Sequence, residues 1–221
     1  RIFMNKKDNT VPIINSGNTE WDKIIIIILA VLAIIPPLIF FDYSVPAFTP
    51  IKDLSLQILS LLGLTAWILR MVATENISWE SNSLDKPLFL YLLWGCLSLI
   101  WSINVYNSIL SLPSFLTGPI IFFIINNSIR EQKHIDRLVI IIIIIGLCLG
   151  IYGIMQYYGI DFRVWKRDIG RQKVMGTFGN VNYFAEYLIL PLSLTIGLFL
   201  SKNRIFNKLF LFLVLIIMGL A

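Results

Sequence analysis

Between residues 171 and 188 the chain reads RQKVMGTFGNVNYFAEYL, a stretch that gathers two cations, two glycines, two asparagines and a glutamate. These are the residue types that recognise an anion. Arg171 and Lys173 bring charged N–H donors, and an arginine fork matches the oxygens of a phosphate. Gly176 and Gly179 give the backbone conformations closed to other residues and let it approach a ligand closely. Asn180 and Asn182 are favoured N-cap residues, and an apolar run starts directly after them. A helix starting there aims free N–H groups and the positive end of its dipole at whatever lies in front. With the two cations nearby, the pattern reads as a phosphate or pyrophosphate cradle.

Glu186 is the second candidate. Apart from Arg70, which can snorkel from the end of its own run, it is the charged residue the sequence places inside an apolar helix. A carboxylate within a membrane is costly and marks function. The competing reading is a wet residue in a first helical turn, complementing the dipole. If Glu186 is paired, its partner is Arg171 or Lys173.

Other chemistry is sparse. His134, the single histidine, sits in REQKHID with no second His or Cys at ligand spacing, so no metal site is expected there. Cys96 and Cys148 fall within apolar runs, read as small packing residues, and lack a His partner. No phosphate-binding P-loop, dinucleotide fingerprint or serine-nucleophile motif is present.

The elements that must hold these residues are set by composition. The chain of 221 residues is 57% hydrophobic and 14% charged, with a mean hydropathy of +0.80. A soluble domain is nearer half apolar and a quarter charged. The apolar residues fall in unbroken runs at 24–41, 54–73, 87–103, 108–126, 138–158 and 183–200, with a seventh from about Phe206 still running at Ala221. Each approaches the roughly 20 residues that a membrane helix needs. The isoleucine run 140–145 suits a strand by propensity, but a lone strand in lipid leaves its backbone unpaired. The expected fold is therefore all-α, a polytopic transmembrane bundle of six complete helices and a partial seventh. Residues 1–23 form an N-terminal segment read as leading to a retained anchor, and 24–221 form the membrane domain. Pro36, Pro37, Pro113, Pro119 and Pro191 are expected to kink helices. The first residue, Arg1, and the hydrophobic end at Ala221 suggest an excerpt of a longer protein.

Charge predicts orientation. With the N-terminus cytoplasmic, 12 of the 18 Lys and Arg residues lie inside and six outside, as the positive-inside rule prefers. Five of the outer six belong to the loop 159–181: Arg163, Lys166, Arg167, Arg171 and Lys173. A cationic outer loop suits an anionic ligand at the membrane surface, or lipid headgroups alone. Phe162 and Trp165 fit either version as interfacial anchors.

GRQKVMGTFGNVNYFAEYL resembles the signature of the O-antigen ligase and O-antigen polymerase superfamily, loosely R…G-T-F-G-N-P-N-x-x-A-x-x-L. SLIWSINVYNSILSL, residues 98–112, resembles that family's Trp-Ser segment at the outer end of an earlier helix. The specific match covers about 20 residues; elsewhere the likeness is one of helix pattern. The resemblance implies a membrane glycosyltransferase of the bacterial cytoplasmic membrane, acting on its outer face. It would move a glycan from undecaprenyl pyrophosphate to a glycan, lipid or protein acceptor, with no cofactor or metal and no nucleic-acid partner. Arg171, or alternatively Lys173, would bind the pyrophosphate and stabilise charge on that leaving group. Arg167 and Glu186 would lie at the same substrate site, while Gly176, Thr177, Gly179, Asn180 and Asn182 would shape the loop and cap the helix. Val181 stands where the family has proline. The family's large outer loop of the second half, with its Arg and His residues, has no counterpart here, so this stretch alone is expected to be inactive.

Two other classes compete. A solute transporter would distribute polar residues along several helices, whereas here they collect at one mouth. A glycan-lipid-binding protein without catalysis would need the same basic loop and nothing more.

Overall fold

The computed structural model describes residues 20–39, 49–75, 79–160, 174–201 and 205–221. Among these, the secondary structure is helical throughout: α1 (Glu20–Leu38), α2 (Thr49–Ala73), α3 (Asp85–Ser98) with a following 3-10 turn (Leu99–Trp101), α4 (Val105–Ser128), α5 (Gln132–Tyr157), α6 (Val181–Ser201) and α7 (Ile205–Leu220). The isoleucine run 140–145 lies inside α5, where every backbone group is satisfied within its own segment. Five helices, α1, α2, α4, α5 and α6, are long and apolar enough to cross a membrane. The protein is a multi-pass helical membrane bundle.

The seven expected segments appear in order, with two adjustments. The third ends early: α3 has 14 residues, about 21 Å of helix, against a hydrocarbon core of about 30 Å. Ser98 turns its hydroxyl back onto the Gly95 carbonyl (2.7 Å), and Asn104 starts α4 by accepting the Asn107 N–H (3.1 Å). Second, α1, α2 and α5 begin four, five and six residues before the expected runs, at Glu20, Thr49 and Gln132. Asp22 and Lys52 therefore lie inside helices, so Arg70 and Glu186 are not alone there.

Packing divides six of the seven helices into two groups of three, while α3 packs against α4. Ile25, Leu29, Ala66, Trp67 and Ile124 form a core between α1, α2 and α4. Ile143, Leu149, Phe184, Leu188, Val214 and Met218 form a second between α5, α6 and α7. Contacts between α1 and α5 join them. Between helices in lipid, close approach replaces the hydrophobic drive. Gly146 of α5 shows it: a Cβ there would lie 2.5 Å from Cβ of Pro191 on α6.

The ends of the bundle are defined by polar contacts. Gln57 donates to Ser114 Oγ (2.8 Å) and Arg70 to the Asn127 carbonyl (3.4 Å), both 57 residues apart, so α2 and α4 run parallel. At one end, Arg70 Nε lies 3.1 Å from Asp22 Oδ1 in a largely buried ion pair. There Asn127 Oδ1 also accepts the Glu80 N–H (2.8 Å), and Asn126 donates to the Glu80 carbonyl (2.8 Å). The opposite end carries the C-termini of α1 and α5 and the N-termini of α2, α4 and α6.

Candidate functional site

At that second end, residues 176–180 form a tight turn leading into α6. The Phe178 N–H donates to the Met175 carbonyl (3.1 Å), closing the turn around Gly176 and Thr177. Gly176 has φ +54° and Gly179 φ +69°, the left-handed region where a side chain is strained. Glycine at 176 is required twice over, because a Cβ there would meet the Phe184 ring at 2.6 Å. Asn180 is the N-cap of α6: its Oδ1 accepts the Asn182 N–H (2.8 Å), and its carbonyl accepts the Phe184 N–H (3.1 Å).

The turn is fastened on two sides. From α5, the fully buried Gln156 presents its amide edge-on. Its Oε1 accepts the N–H groups of Met175 (3.1 Å) and Gly176 (2.9 Å), and its Nε2 donates to the Gly176 carbonyl (3.3 Å). From α1, Pro37 offers its carbonyl to the hydroxyl of buried Thr177. Lys52 of α2 lies beside this contact, its ammonium 3.0 Å from the carbonyls of Pro36 and Pro37 and 2.8 Å from that of Ile39. It lies 3.5 Å from Thr177 Oγ1 and 4.3 Å from the centre of the Phe178 ring. Phe178 packs in turn against Tyr187, with ring centres 5.2 Å apart.

Beside Lys52, between the two helix groups, lies a cavity of about 530 Å³. It runs from Lys52 and Phe178 to Ile129 and Ile135 near the other end, past Leu56 and Ile142. Lys52 is the charged residue in a lining that is otherwise almost wholly apolar.

The sequence candidates divide as follows. Gly176, Thr177, Gly179 and Asn180 come together as one built turn. Thr177 acts on its inner side, through the Pro37 carbonyl. Asn182 is capped through its backbone N–H while its residue is exposed in the first turn of α6. Glu186 is exposed, six residues into α6 and so past the first turn. Arg167, Arg171 and Lys173 lie outside the described residues. The Trp-Ser segment 98–112 lies at the same end as the turn, with Trp101 exposed and the hydroxyls of Ser102 and Ser108 2.7 Å apart. Among the described residues, no group of His, Cys, Asp and Glu is arranged to hold a metal ion.

Two residues of this end escape a reading of spans: Lys52, assigned to the connection 42–53, and Gln156, a lone amide near the end of the fifth run. A signal for the first exists in Thr49-Pro50, a cap-and-proline pair that marks a helix start before Lys52. No protein-family model, curated protein or solved structure matches this chain.

Proposed function

We propose that the protein is a glycosyltransferase of the O-antigen ligase or polymerase type. It transfers an undecaprenyl-pyrophosphate-linked glycan to an acceptor hydroxyl on the outer face of the cytoplasmic membrane. The observation that carries this reading is the turn itself. The G-T-F-G-N residues that resemble the family signature form a glycine-dependent, asparagine-capped turn, and it directs the N-terminus of α6 toward one end of the bundle. That is where an anionic head group is favoured.

In this reading the end carrying the turn faces outward and the N-terminus is cytoplasmic. Arg171, with Lys173 as the alternative and Arg167 adding charge, binds the pyrophosphate. The acceptor oxygen attacks the anomeric carbon, a new C–O bond forms with inversion, and the bond to the pyrophosphate oxygen breaks. The cations hold the negative charge that collects on that leaving group. Gly176, Thr177, Gly179, Asn180 and Asn182 keep the platform in shape, and Glu186, exposed on α6 nearby, meets the polar part of the substrate. The apolar cavity beside the turn suits a polyprenyl tail better than it suits a polar solute, which favours transfer over transport.

The test is Arg171→Ala in the intact protein. Transfer should fall at least about a hundredfold, as when a key charge-stabilising group is lost, with the membrane level of the protein unchanged. A glycan ladder of normal intensity would remove Arg171 from the mechanism.

A further inference from the structure

The broken end of α1 poses a problem that Lys52 solves. Pro36 and Pro37 lie in its last turn, where the final carbonyls have no helical donors. Buried between helices, such carbonyls need other partners. The Lys52 ammonium reaches those of Pro36, Pro37 and Ile39 at once, and its positive charge complements the negative end of the α1 dipole. Lys52 is thus a cap for α1 supplied from α2.

The same ammonium faces the turn. Thr177 Oγ1 and the Phe178 ring flank it from α6's side, and Thr177 donates to one of the carbonyls that Lys52 holds. Three segments far apart in sequence therefore meet at one cation. Among the described residues no carboxylate pairs with it, so the charge is shared among carbonyl dipoles and an aromatic face and is not neutralised.

We propose that Lys52 is a positioning residue for the 176–180 turn: its ammonium fastens the turn to the end of α1 and thereby sets where the N-terminus of α6 meets the anionic head of a lipid-linked substrate. The fastening stands on the contacts alone; the consequence for substrate rests on the transferase reading.

The experiment uses the intact protein in membranes, with Met175→Cys, half-buried beside the turn, as its single thiol and Cys96 and Cys148 replaced by alanine. Lys52→Met should raise the rate of modification by a membrane-impermeant maleimide about tenfold, since releasing a hydrogen-bonded segment populates its open form. Lys52→Arg keeps a cationic donor and should restore most of the protection. Should Lys52→Met fail to reach the membrane, Thr177→Val removes the hydroxyl that both meets Lys52 and donates to Pro37, and should raise the rate about tenfold by the same logic. An unchanged rate in either variant overturns the proposal. In the same membranes, Lys52→Met should raise KM for a polyprenyl-pyrophosphate oligosaccharide about tenfold with kcat nearly kept, because a displaced platform weakens binding before chemistry. Faster labelling with an unaltered KM leaves the fastening in place and overturns the role assigned to the turn in binding donor.

Discussion

Gln156 and Gly176 pair as two strands of a sheet would: the side-chain amide accepts the glycine's N–H and donates to the same residue's carbonyl. An amide on a helix thus supplies the backbone partners that an irregular segment inside a membrane protein otherwise lacks. Replacing it with Met, similar in length but apolar, leaves the N–H groups of Met175 and Gly176 and one carbonyl without partners. Gln156→Met should destabilise by roughly 2–4 kcal/mol. In thermal unfolding of the detergent-solubilised protein, that is a Tm lower by roughly 5–15 °C. A Tm within a degree of the parent would mean the turn does not depend on this amide.

Two of the left-handed glycines, Gly159 and Gly176, should differ in sensitivity. Gly159 has φ +80° with open space where a Cβ would stand, whereas Gly176 has φ +54° with the Phe184 ring 2.6 Å from that position. Gly159→Ala carries backbone strain alone, about 1 kcal/mol. Gly176→Ala adds an overlap with a buried ring, for a total of roughly 2–4 kcal/mol. Equal losses of Tm would contradict the packing of Phe184 under the turn.

At the other end, Asp22 and Arg70 hold α1 to α2 through a pair that is about one-tenth exposed on each side. Removing one partner strands the other's charge, so Asp22→Leu and Arg70→Met should each destabilise by roughly 3 kcal/mol. The double variant Asp22→Leu with Arg70→Met should recover much of that, because it leaves no lone charge. Losses that simply add would show that the two residues act independently.

Orientation is open to direct chemistry. Gln172→Cys, in a chain otherwise free of cysteine, should react with an impermeant thiol reagent applied to the outer face of intact cells or spheroplasts. Reaction only after lysis would overturn the proposed topology and put the loop before the turn on the inner face.

Much of this architecture can be read without coordinates, for a physical reason. Apolar runs long enough to span a bilayer admit one backbone solution, so α4 and α6 fall within three residues of their runs. Asn180 is legible too, because capping is local: cap, helix and bonded N–H lie within three residues. Lys52, Asp22 and Gln156 are not. Their roles come from contacts across 13 to 125 residues of chain, between separate helices that hydropathy does not pair. Hydropathy also misleads at helix ends, where polar residues such as Asp22 and Lys52 continue a helix after the apolar run has stopped. The early end of α3 comes with the Ser98 hydroxyl turned back onto the Gly95 carbonyl, a rotamer choice that sequence does not dictate.

The turn at 176–180 is held by Gln156 from the α5–α6–α7 group and by Pro37 from the α1–α2–α4 group. It is a stitch across the seam between the two halves of the bundle, and the cavity lies along that same seam. Widening the seam by even an ångström must either tear the stitch at Thr177 or drag the start of α6 sideways. The width of the apolar cleft and the aim of the polar turn are therefore one mechanical variable.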